Sequence, residues 1–170
     1  MKKMKVALIG VGDISNKYVD NLKQYPKIVE IVGCAARDYE KTVKRAQELG
    51  IDHVYESVDA LLADPEVDVV LNLTVPEVHA KYNLAALRAG KHVYTEKPLA
   101  ATFAEGKQIM DLAAEKGLTV CCAPDTFFGS RLQTMREQID AGTIGRMTGG
   151  QVSMLWHGWE FWHPNVAFYY

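Results

Sequence analysis

Near its amino terminus the chain reads Val6-Ala7-Leu8-Ile9-Gly10-Val11-Gly12-Asp13-Ile14-Ser15, an apolar run followed directly by a glycine-rich turn. The run predicts a buried strand, and the residues after the turn predict a helix. Gly10 would permit the tight turn, and Gly12 would let the backbone approach a pyrophosphate closely. The helix opening near Asp13 and Ile14 would direct N–H groups at that anion. The stretch therefore predicts the start of a dinucleotide-binding fold, with Ser15 as a small side chain between helix and strand.

Length and composition limit the class of protein. The chain has 170 residues, of which 48% are hydrophobic, and a formal net charge of −2. This length suffices for one domain and part of another. The sequence contains no basic stripe suited to nucleic acid and no apolar run of the roughly 20 residues that span a membrane. The charged start lacks a cleavage site and a long apolar run, so we expect a cytoplasmic protein.

Three cysteines, Cys34, Cys121 and Cys122, lie at the ends of predicted strands. We expect buried, reduced thiols of the kind found in cytoplasmic proteins. A redox role for the adjacent pair is the alternative.

Strand-like and helix-like segments alternate as far as about residue 122. The predicted strands are 5–9, 29–35, 53–55, 67–73, 92–94 and 119–122. The predicted helices are 14–24, 39–49, 58–63, 78–89 and 103–116. Near-continuous apolar strands separated by helices are typical of a parallel sheet covered on both faces. We therefore predict an α/β fold of the doubly wound Rossmann type over residues 1–123.

The pattern changes after Cys122, where Ala123-Pro124-Asp125 interrupts the strand. A helix is predicted over 131–141 and a long strand over 147–156. The aromatic residues that follow require a partner to cover them. We assign residues 124–170 to the incomplete beginning of a second α/β domain for substrate binding and oligomerisation.

Two histidines in this tail, His157 and His163, stand among Trp156, Trp159 and Trp162. Their spacing matches no zinc pattern, so we expect no metal site. We interpret the stretch as core or interface of the second domain, and sugar stacking on a tryptophan is the alternative.

The second predicted strand ends in Cys34-Ala35-Ala36-Arg37-Asp38. Dinucleotide-binding folds usually place an acid here to bind the adenosine ribose, and Ala36 holds that position. The Arg37 guanidinium could instead pair with a 2′-phosphate or stack on adenine, which favours NADP over NAD. Asp38 could still reach the ribose, and a solvated Arg37 at a helix start is the alternative.

Thr74-Val75-Pro76 follows the fourth predicted strand, and His79 lies in the first turn of the next helix. A turn at the carboxyl end of a strand lies on the ligand side of an open sheet. We expect its backbone to run beside the cofactor ribose. His79 is a second candidate contact, or else a histidine that packs or caps the helix.

Glu96-Lys97-Pro98 follows the fifth predicted strand at the same edge. Pro98 restricts the backbone and permits a cis bond after Lys97. Lys97 could hydrogen-bond a reacting hydroxyl, and Glu96 could bind ribose or tune the charge of the lysine. A pair of solvated loop residues is the alternative.

Taken together, the glycine turn, Ala36-Arg37, the Thr74 turn with His79, and Glu96-Lys97-Pro98 resemble the glucose–fructose oxidoreductase/inositol dehydrogenase (Gfo/Idh/MocA) family over the whole chain. The resemblance implies an NAD(P)-binding Rossmann domain followed by an α/β domain with a large open sheet. It implies hydride transfer at a hydroxyl carbon of a sugar, cyclitol or related polyol, with Lys97 as the catalytic lysine. It also implies a homo-oligomer for the full-length protein.

The chain departs from the family after the sixth predicted strand, where Asp125-Thr126-Phe127 replaces an arginine-containing turn. Asp125 is a candidate contact to nicotinamide or substrate. The second catalytic motif of the family, with Asp and His, would follow Tyr170. A non-catalytic NAD(P)-binding or redox-sensing module is therefore an alternative, and a methyltransferase is a weaker one because it leaves Lys97 without a role.

Overall fold

The apolar runs form one parallel sheet in the structure, a computed structural model that describes residues 2–155, 157 and 158. The strands are β1 (Met4–Ile9), β2 (Val29–Ala35), β3 (Val69–Asn72), β4 (His92–Thr95) and β5 (Val120–Cys122). These five strands pair in the spatial order β2-β1-β3-β4-β5, and every pairing is parallel. From β1 the chain winds to one side to make β2 and then to the other side to make β3. The predicted doubly wound sheet is confirmed.

Helices cover the sheet from both faces because alternate side chains of each strand point to opposite sides. They are α1 (Ser15–Leu22), α2 (Tyr39–Leu49), α3 (Val58–Ala63), α4 (His79–Arg88) and α5 (Phe103–Lys116). Ala7 and Ile9 of β1 pack with residues of α3, α4 and α5. Val6 and Leu8 pack with residues of α1 and α2. The single strand β1 thus lies between two apolar layers.

Two predicted strands are wrong. Residues 53–55 contribute one isolated bridge, between Cys34 and Val54, because the cap of α3 at Ser57 follows at once. Residues 147–155 contain no strand, since a strand requires a hydrogen-bonded neighbour and the described part of the chain offers them none. Residue 156, the last of that predicted strand, lies outside the described residues.

The chain divides into two compact units, of which the first ends at Asp125 and the second begins at Thr126. In the second unit, the described residues include a short 3-10 turn, Thr126–Phe128, and α6, Ser130–Asp140. The helix predicted over 131–141 corresponds to α6.

All three cysteines are free thiols, but their exposure differs. Cys34 is buried, and burial raises its pKa to about 11. Cys122 is partly buried, whereas Cys121 is exposed, so the expectation of a buried thiol is wrong for Cys121. The reason is its place on the edge strand β5, where its side chain lines an open groove. None of the helices that the structure describes is both long and apolar enough to cross a bilayer.

Candidate active site

Strand register brings the sequence motifs to one edge of the sheet. Ile9 pairs with Ala35 of β2 and with Asn72 of β3, and Asn72 pairs with Thr95 of β4. The segments that follow these residues therefore leave the sheet at the same level. Because the chain winds in opposite directions from β1, this edge includes the switch point where open α/β sheets bind ligands.

The first glycine of the turn is required by the protein itself. Gly10 has φ of +93°, a conformation that side chains other than glycine rarely adopt. A Cβ added there would lie 2.8 Å from the carbonyl oxygen of Leu73. The Gly10 N–H donates to the Ala35 carbonyl at 2.9 Å, which holds the turn against β2. Gly10 therefore sets the direction in which the chain leaves β1.

The second glycine is not required by packing. A Cβ added at Gly12 would meet no atom within 4 Å. Gly12, Asp13 and Ile14 are all exposed, whereas Ser15 is fully buried and its Oγ donates to the Gly12 carbonyl at 2.5 Å. The small residue expected between helix and strand is therefore accommodated. The open space over Gly12 fits a nucleotide pyrophosphate at the start of α1.

The two polar side chains that follow β2, those of Arg37 and Asp38, differ in their contacts. Arg37 is exposed at the end of the strand. Asp38 caps α2, where its Oδ1 accepts from the Lys41 N–H at 3.1 Å and its Oδ2 pairs with the Lys41 ammonium at 3.2 Å. These bonds lower the pKa of Asp38. The Asp38 carboxylate is thus already engaged by its own helix, while Ala36 beside it offers no polar group.

The Thr74 turn is held by a buried asparagine. Asn72 Oδ1 accepts from both the N–H and the hydroxyl of Thr74, at 3.2 and 2.7 Å. Its Nδ2 donates to the Asn83 side chain at 2.8 Å. Asn72 and Asn83 have no exposed surface. Val75, by contrast, is 53% exposed, and Pro76 begins a short 3-10 turn, Pro76–Val78. The side chain of Val75 is therefore exposed at the tip of the turn, while the hydrogen bonds of Asn72 hold the start of the turn in place.

His79 joins this turn to the loop after β4. Its Nδ1 lies 2.6 Å from the Pro98 carbonyl, and its Nε2 lies 2.9 Å from the Thr74 carbonyl. Asn83 makes a parallel link by donating to the Leu99 carbonyl at 3.1 Å. Because His79 is fully buried, it has no surface through which to touch a cofactor. The predicted cofactor contact at His79 does not fit this burial, and its place is that of a residue that positions the two loops.

The Glu96-Lys97-Pro98 loop presents an exposed lysine from a fixed backbone. The Lys97–Pro98 peptide bond is cis. One oxygen of the half-buried Glu96, Oε2, accepts from the Lys97 N–H at 2.9 Å, and the other, Oε1, accepts from the Tyr18 hydroxyl at 2.7 Å. The Glu96 N–H donates to Asn72 at 2.9 Å. Within the described residues, no hydrogen bond or ion pair engages the Lys97 ammonium, so it is available to a ligand.

A groove of about 470 Å³ lies on the face of the sheet that carries α1. Val69, Leu71, Tyr94 and Cys121 form part of its floor, and Asp125 also lines it. Burial, and then the charge of Asp125, raise the pKa of Tyr94. Asp125 is therefore placed beside Tyr94, on the strand that leads to Glu96.

Sequence reasoning missed three residues of this arrangement, Tyr18, Asn72 and Asn83. Asn72 interrupts an apolar run just before a turn, and a polar residue there is a usable signal of a buried hydrogen-bonding group. Tyr18 and Asn83 lie on helix faces that no local pattern distinguishes. Their partners are distant in sequence, 78 residues away in the case of Tyr18 and Glu96.

The tail residues give no site in the described part of the chain. Trp156, Trp159, Trp162 and His163 lie outside it. Among the described residues, no group of three or more His, Cys, Asp or Glu side chains is arranged to hold a metal ion.

Comparison with known proteins places this geometry in a family. Residues 4–123 match the Gfo/Idh/MocA model, described as an oxidoreductase family with an NAD-binding Rossmann fold. The chain is 36% identical over 144 residues to the 1,5-anhydro-D-fructose reductase of Ensifer adhaerens. The aligned region covers 81% of this chain and 43% of that protein. It is 33% identical over 141 residues to a 4-carboxy-2-hydroxymuconate-6-semialdehyde dehydrogenase from a Sphingobium species, with 83% and 44% covered.

A solved structure of a related oxidoreductase has the same fold. Biliverdin reductase from Synechocystis, in complex with biliverdin and NADP+, superposes with a TM-score of 0.70 at 31% identity, covering 81% of this chain and 43% of that one. The chain thus spans less than half of the length of each of these relatives. Since the matched residues include the glycine turn, the Thr74 turn and the Lys97 loop, the chain belongs to the Gfo/Idh/MocA oxidoreductase family through its NAD-binding Rossmann domain.

Proposed function

We propose that this chain binds NADP and forms the cofactor half of an oxidoreductase. The reaction is hydride transfer between the nicotinamide and a hydroxyl carbon of a sugar, cyclitol or similar polyol. The observation that carries the proposal is the convergence of the glycine turn, the Thr74 turn and the Lys97 loop at the switch point of the sheet. The name of the Ensifer relative, an anhydrofructose reductase, supports the substrate class.

Each segment has a distinct role in this proposal. The backbone at Gly10–Ile14 would hold the pyrophosphate, and the Thr74–Pro76 turn would lie along the ribose. Glu96, Lys97 and Pro98 would border the nicotinamide, with Asp125 on the substrate side. When bound, the nicotinamide supplies or accepts the hydride. The exposed Lys97 ammonium would orient the substrate oxygen by donating a hydrogen bond to it, and would stabilise the negative charge that develops on that oxygen during hydride transfer.

The preference for NADP rests on the end of β2. Arg37 offers an exposed guanidinium, Ala36 offers no acid for a ribose 2′-hydroxyl, and Asp38 is occupied as a helix cap. A 2′-phosphate would pair with the guanidinium through charge-assisted hydrogen bonds. The Synechocystis relative was solved with NADP+, which supports the same choice.

Titration of the 170-residue chain with NADPH and with NADH, followed by nicotinamide fluorescence, tests the cofactor assignment. We expect NADPH to bind at least about tenfold more tightly, and Arg37→Ala to remove that difference by weakening NADPH alone. Arg88→Ala is the matched control, because Arg88 is exposed at the other end of the domain, in the last turn of α4. It should leave both affinities unchanged.

The outcomes separate the parts of the proposal. Equal affinities for the two cofactors would contradict the role of Arg37, and binding of neither would contradict the function. Tight binding without turnover of any polyol by the full-length protein would favour a non-catalytic, redox-sensing module.

Two further proposals concern the residues after the Rossmann domain and the full-length protein. We propose that residues 124–170 begin a second α/β domain that contributes to substrate binding, and that the full-length protein is a cytoplasmic homo-oligomer. The family match ends at residue 123, and the relatives continue well beyond it, which supports the first point. The free thiols of the chain support the location.

A further inference from the structure

We propose that Tyr18 is a positioning residue: its hydroxyl fixes the Glu96 carboxylate and so couples the nucleotide-binding turn to Lys97. The inference rests on the function proposed above for Lys97. It concerns a residue on α1 that none of the sequence motifs contains. Three observations support it: the pairing of both Glu96 oxygens, the place of Tyr18 on α1, and the packing of its ring.

Both carboxylate oxygens of Glu96 are engaged, and by different parts of the chain. Oε1 accepts from the Tyr18 hydroxyl at 2.7 Å, and Oε2 accepts from the Lys97 N–H at 2.9 Å. A carboxylate held at both oxygens cannot rotate about its last torsion without losing a bond. The orientation of Glu96 is therefore set by a tyrosine that is distant in sequence, and it holds the backbone from which Lys97 projects.

The other end of the link is the glycine turn. Tyr18 lies one helical turn after Ser15, whose hydroxyl donates to the Gly12 carbonyl at 2.5 Å. Helix α1 is the element that the pyrophosphate would contact at its first turn. A displacement of this helix by the cofactor would thus move the hydroxyl that holds Glu96.

The tyrosine ring is fixed by packing. It meets Tyr94 edge to face, with ring centroids 5.9 Å apart and planes at 66°. Burial, followed by the Glu96 carboxylate, raises the pKa of Tyr18. The hydroxyl therefore keeps its proton at neutral pH and remains a donor to Glu96. Tyr94 is the other titratable side chain against this ring, and Asp125 acts on Tyr94 in turn.

Tyr18→Phe removes the hydroxyl and keeps the ring, so it isolates the bond. The first measurement is amide hydrogen exchange in the 170-residue chain without cofactor. We expect the Lys97 amide to exchange about five- to tenfold faster, because its acceptor is released, while the Glu96 amide, bonded to the Asn72 carbonyl, is unchanged. Equal exchange of the Lys97 amide in both proteins would overturn the inference.

The second measurement is turnover by the full-length protein. Tyr18→Phe should lower kcat about tenfold and leave the KM of both substrates within about twofold, since the bond orients a reacting group rather than binding a ligand. In a Glu96→Ala background the same change should have little further effect, because the acceptor of the Tyr18 hydroxyl is already absent. An unchanged kcat, or fully additive effects, would contradict the coupling.

Tyr55→Phe is the matched control. Tyr55 also donates its hydroxyl to a carboxylate, Asp64 Oδ2, at 2.7 Å, but away from the Lys97 loop. We expect Tyr55→Phe to leave both kcat and the exchange rate of the Lys97 amide unchanged. A wild-type protein that binds no nicotinamide would disprove the proposed function, while faster Lys97 exchange in Tyr18→Phe would still establish the positioning role.

Discussion

At the scale of single residues, the polar side chains of the candidate site differ in whether the protein itself engages them. His79, Asn72 and Asn83 have no exposed surface, and their polar atoms bond to the chain on either side of the site. Buried polar groups persist when such bonds satisfy them. Lys97 lies within the loop that these bonds hold, and its side chain is exposed. Because these hydrogen bonds hold the loop backbone, the point from which the Lys97 side chain projects is fixed.

Lys97→Ala tests the catalytic role at this scale. We expect kcat of the full-length protein to fall by about 10²- to 10⁴-fold, because the group that stabilises charge on the reacting oxygen is lost. The dissociation constant for NADPH should change by less than about threefold, as determined by titration.

The control for this substitution is Lys107→Ala. Lys107 is an exposed lysine on α5 that pairs with Asp111 at 2.5 Å, so its removal should leave turnover unchanged. Retention of full turnover by Lys97→Ala would exclude Lys97 from the chemistry.

At the scale of elements, the β1–α1 turn uses its two glycines for different purposes. Gly10 has positive φ, and an added Cβ there would collide with the backbone after β3. Gly12 has open space around it. Protein packing accounts for the first glycine, and the pyrophosphate proposed to bind at this turn would account for the second.

Alanine at each position should separate the two purposes. Gly10→Ala should lower the free energy of unfolding by roughly 1–3 kcal/mol, because it imposes both backbone strain and a clash. Gly12→Ala should change that free energy by less than about 0.5 kcal/mol, yet weaken NADPH binding about tenfold or more. Chemical denaturation and NADPH titration of the 170-residue chain measure the two effects. A Gly12→Ala variant with unaltered affinity would contradict pyrophosphate binding at this turn.

At the scale of the whole first unit, a carboxylate links the neighbouring strands β1 and β3 at the edge of the sheet opposite the candidate site. Asp68, just before β3, accepts from the Lys5 N–H of β1 at 2.9 Å through Oδ2. This bond, and then nearby lysines, lower the pKa of Asp68 despite the opposing effect of burial. A carboxyl group with a lowered pKa in the folded state stabilises the fold only while it is ionised.

The stability should therefore depend on pH on the acid side. The contribution of Asp68 is complete above the unfolded pKa of about 3.9 and is lost as the pH falls through the lower folded value. Asp68→Asn should cost roughly 0.5–1 kcal/mol at pH 7, and this difference from wild type should vanish in acid. Denaturation of both proteins between pH 7 and pH 2 measures it, with the exposed Asp52→Asn as control. A difference that is constant with pH would contradict the ionised bond.

Local sequence patterns were sufficient to predict the backbone geometry at positions where that geometry requires a particular residue type. The glycine turn and the proline after Lys97 each indicate a backbone geometry within a few residues. The strand predicted over 53–55 is wrong because a short run such as His53-Val54-Tyr55 fits a strand or a single bridge equally well. The choice depended on the nearby cap at Ser57.

The sequence by itself determined the alternation of strands and helices, the doubly wound class of fold and the motifs at the strand ends, because periodicity and turn chemistry act over a few residues. Only the tertiary structure decided that Tyr18 reaches Glu96 and that His79 bridges the Thr74 and Pro98 carbonyls. The physical reason is that strand register and helix packing, rather than distance along the chain, decide which side chains meet.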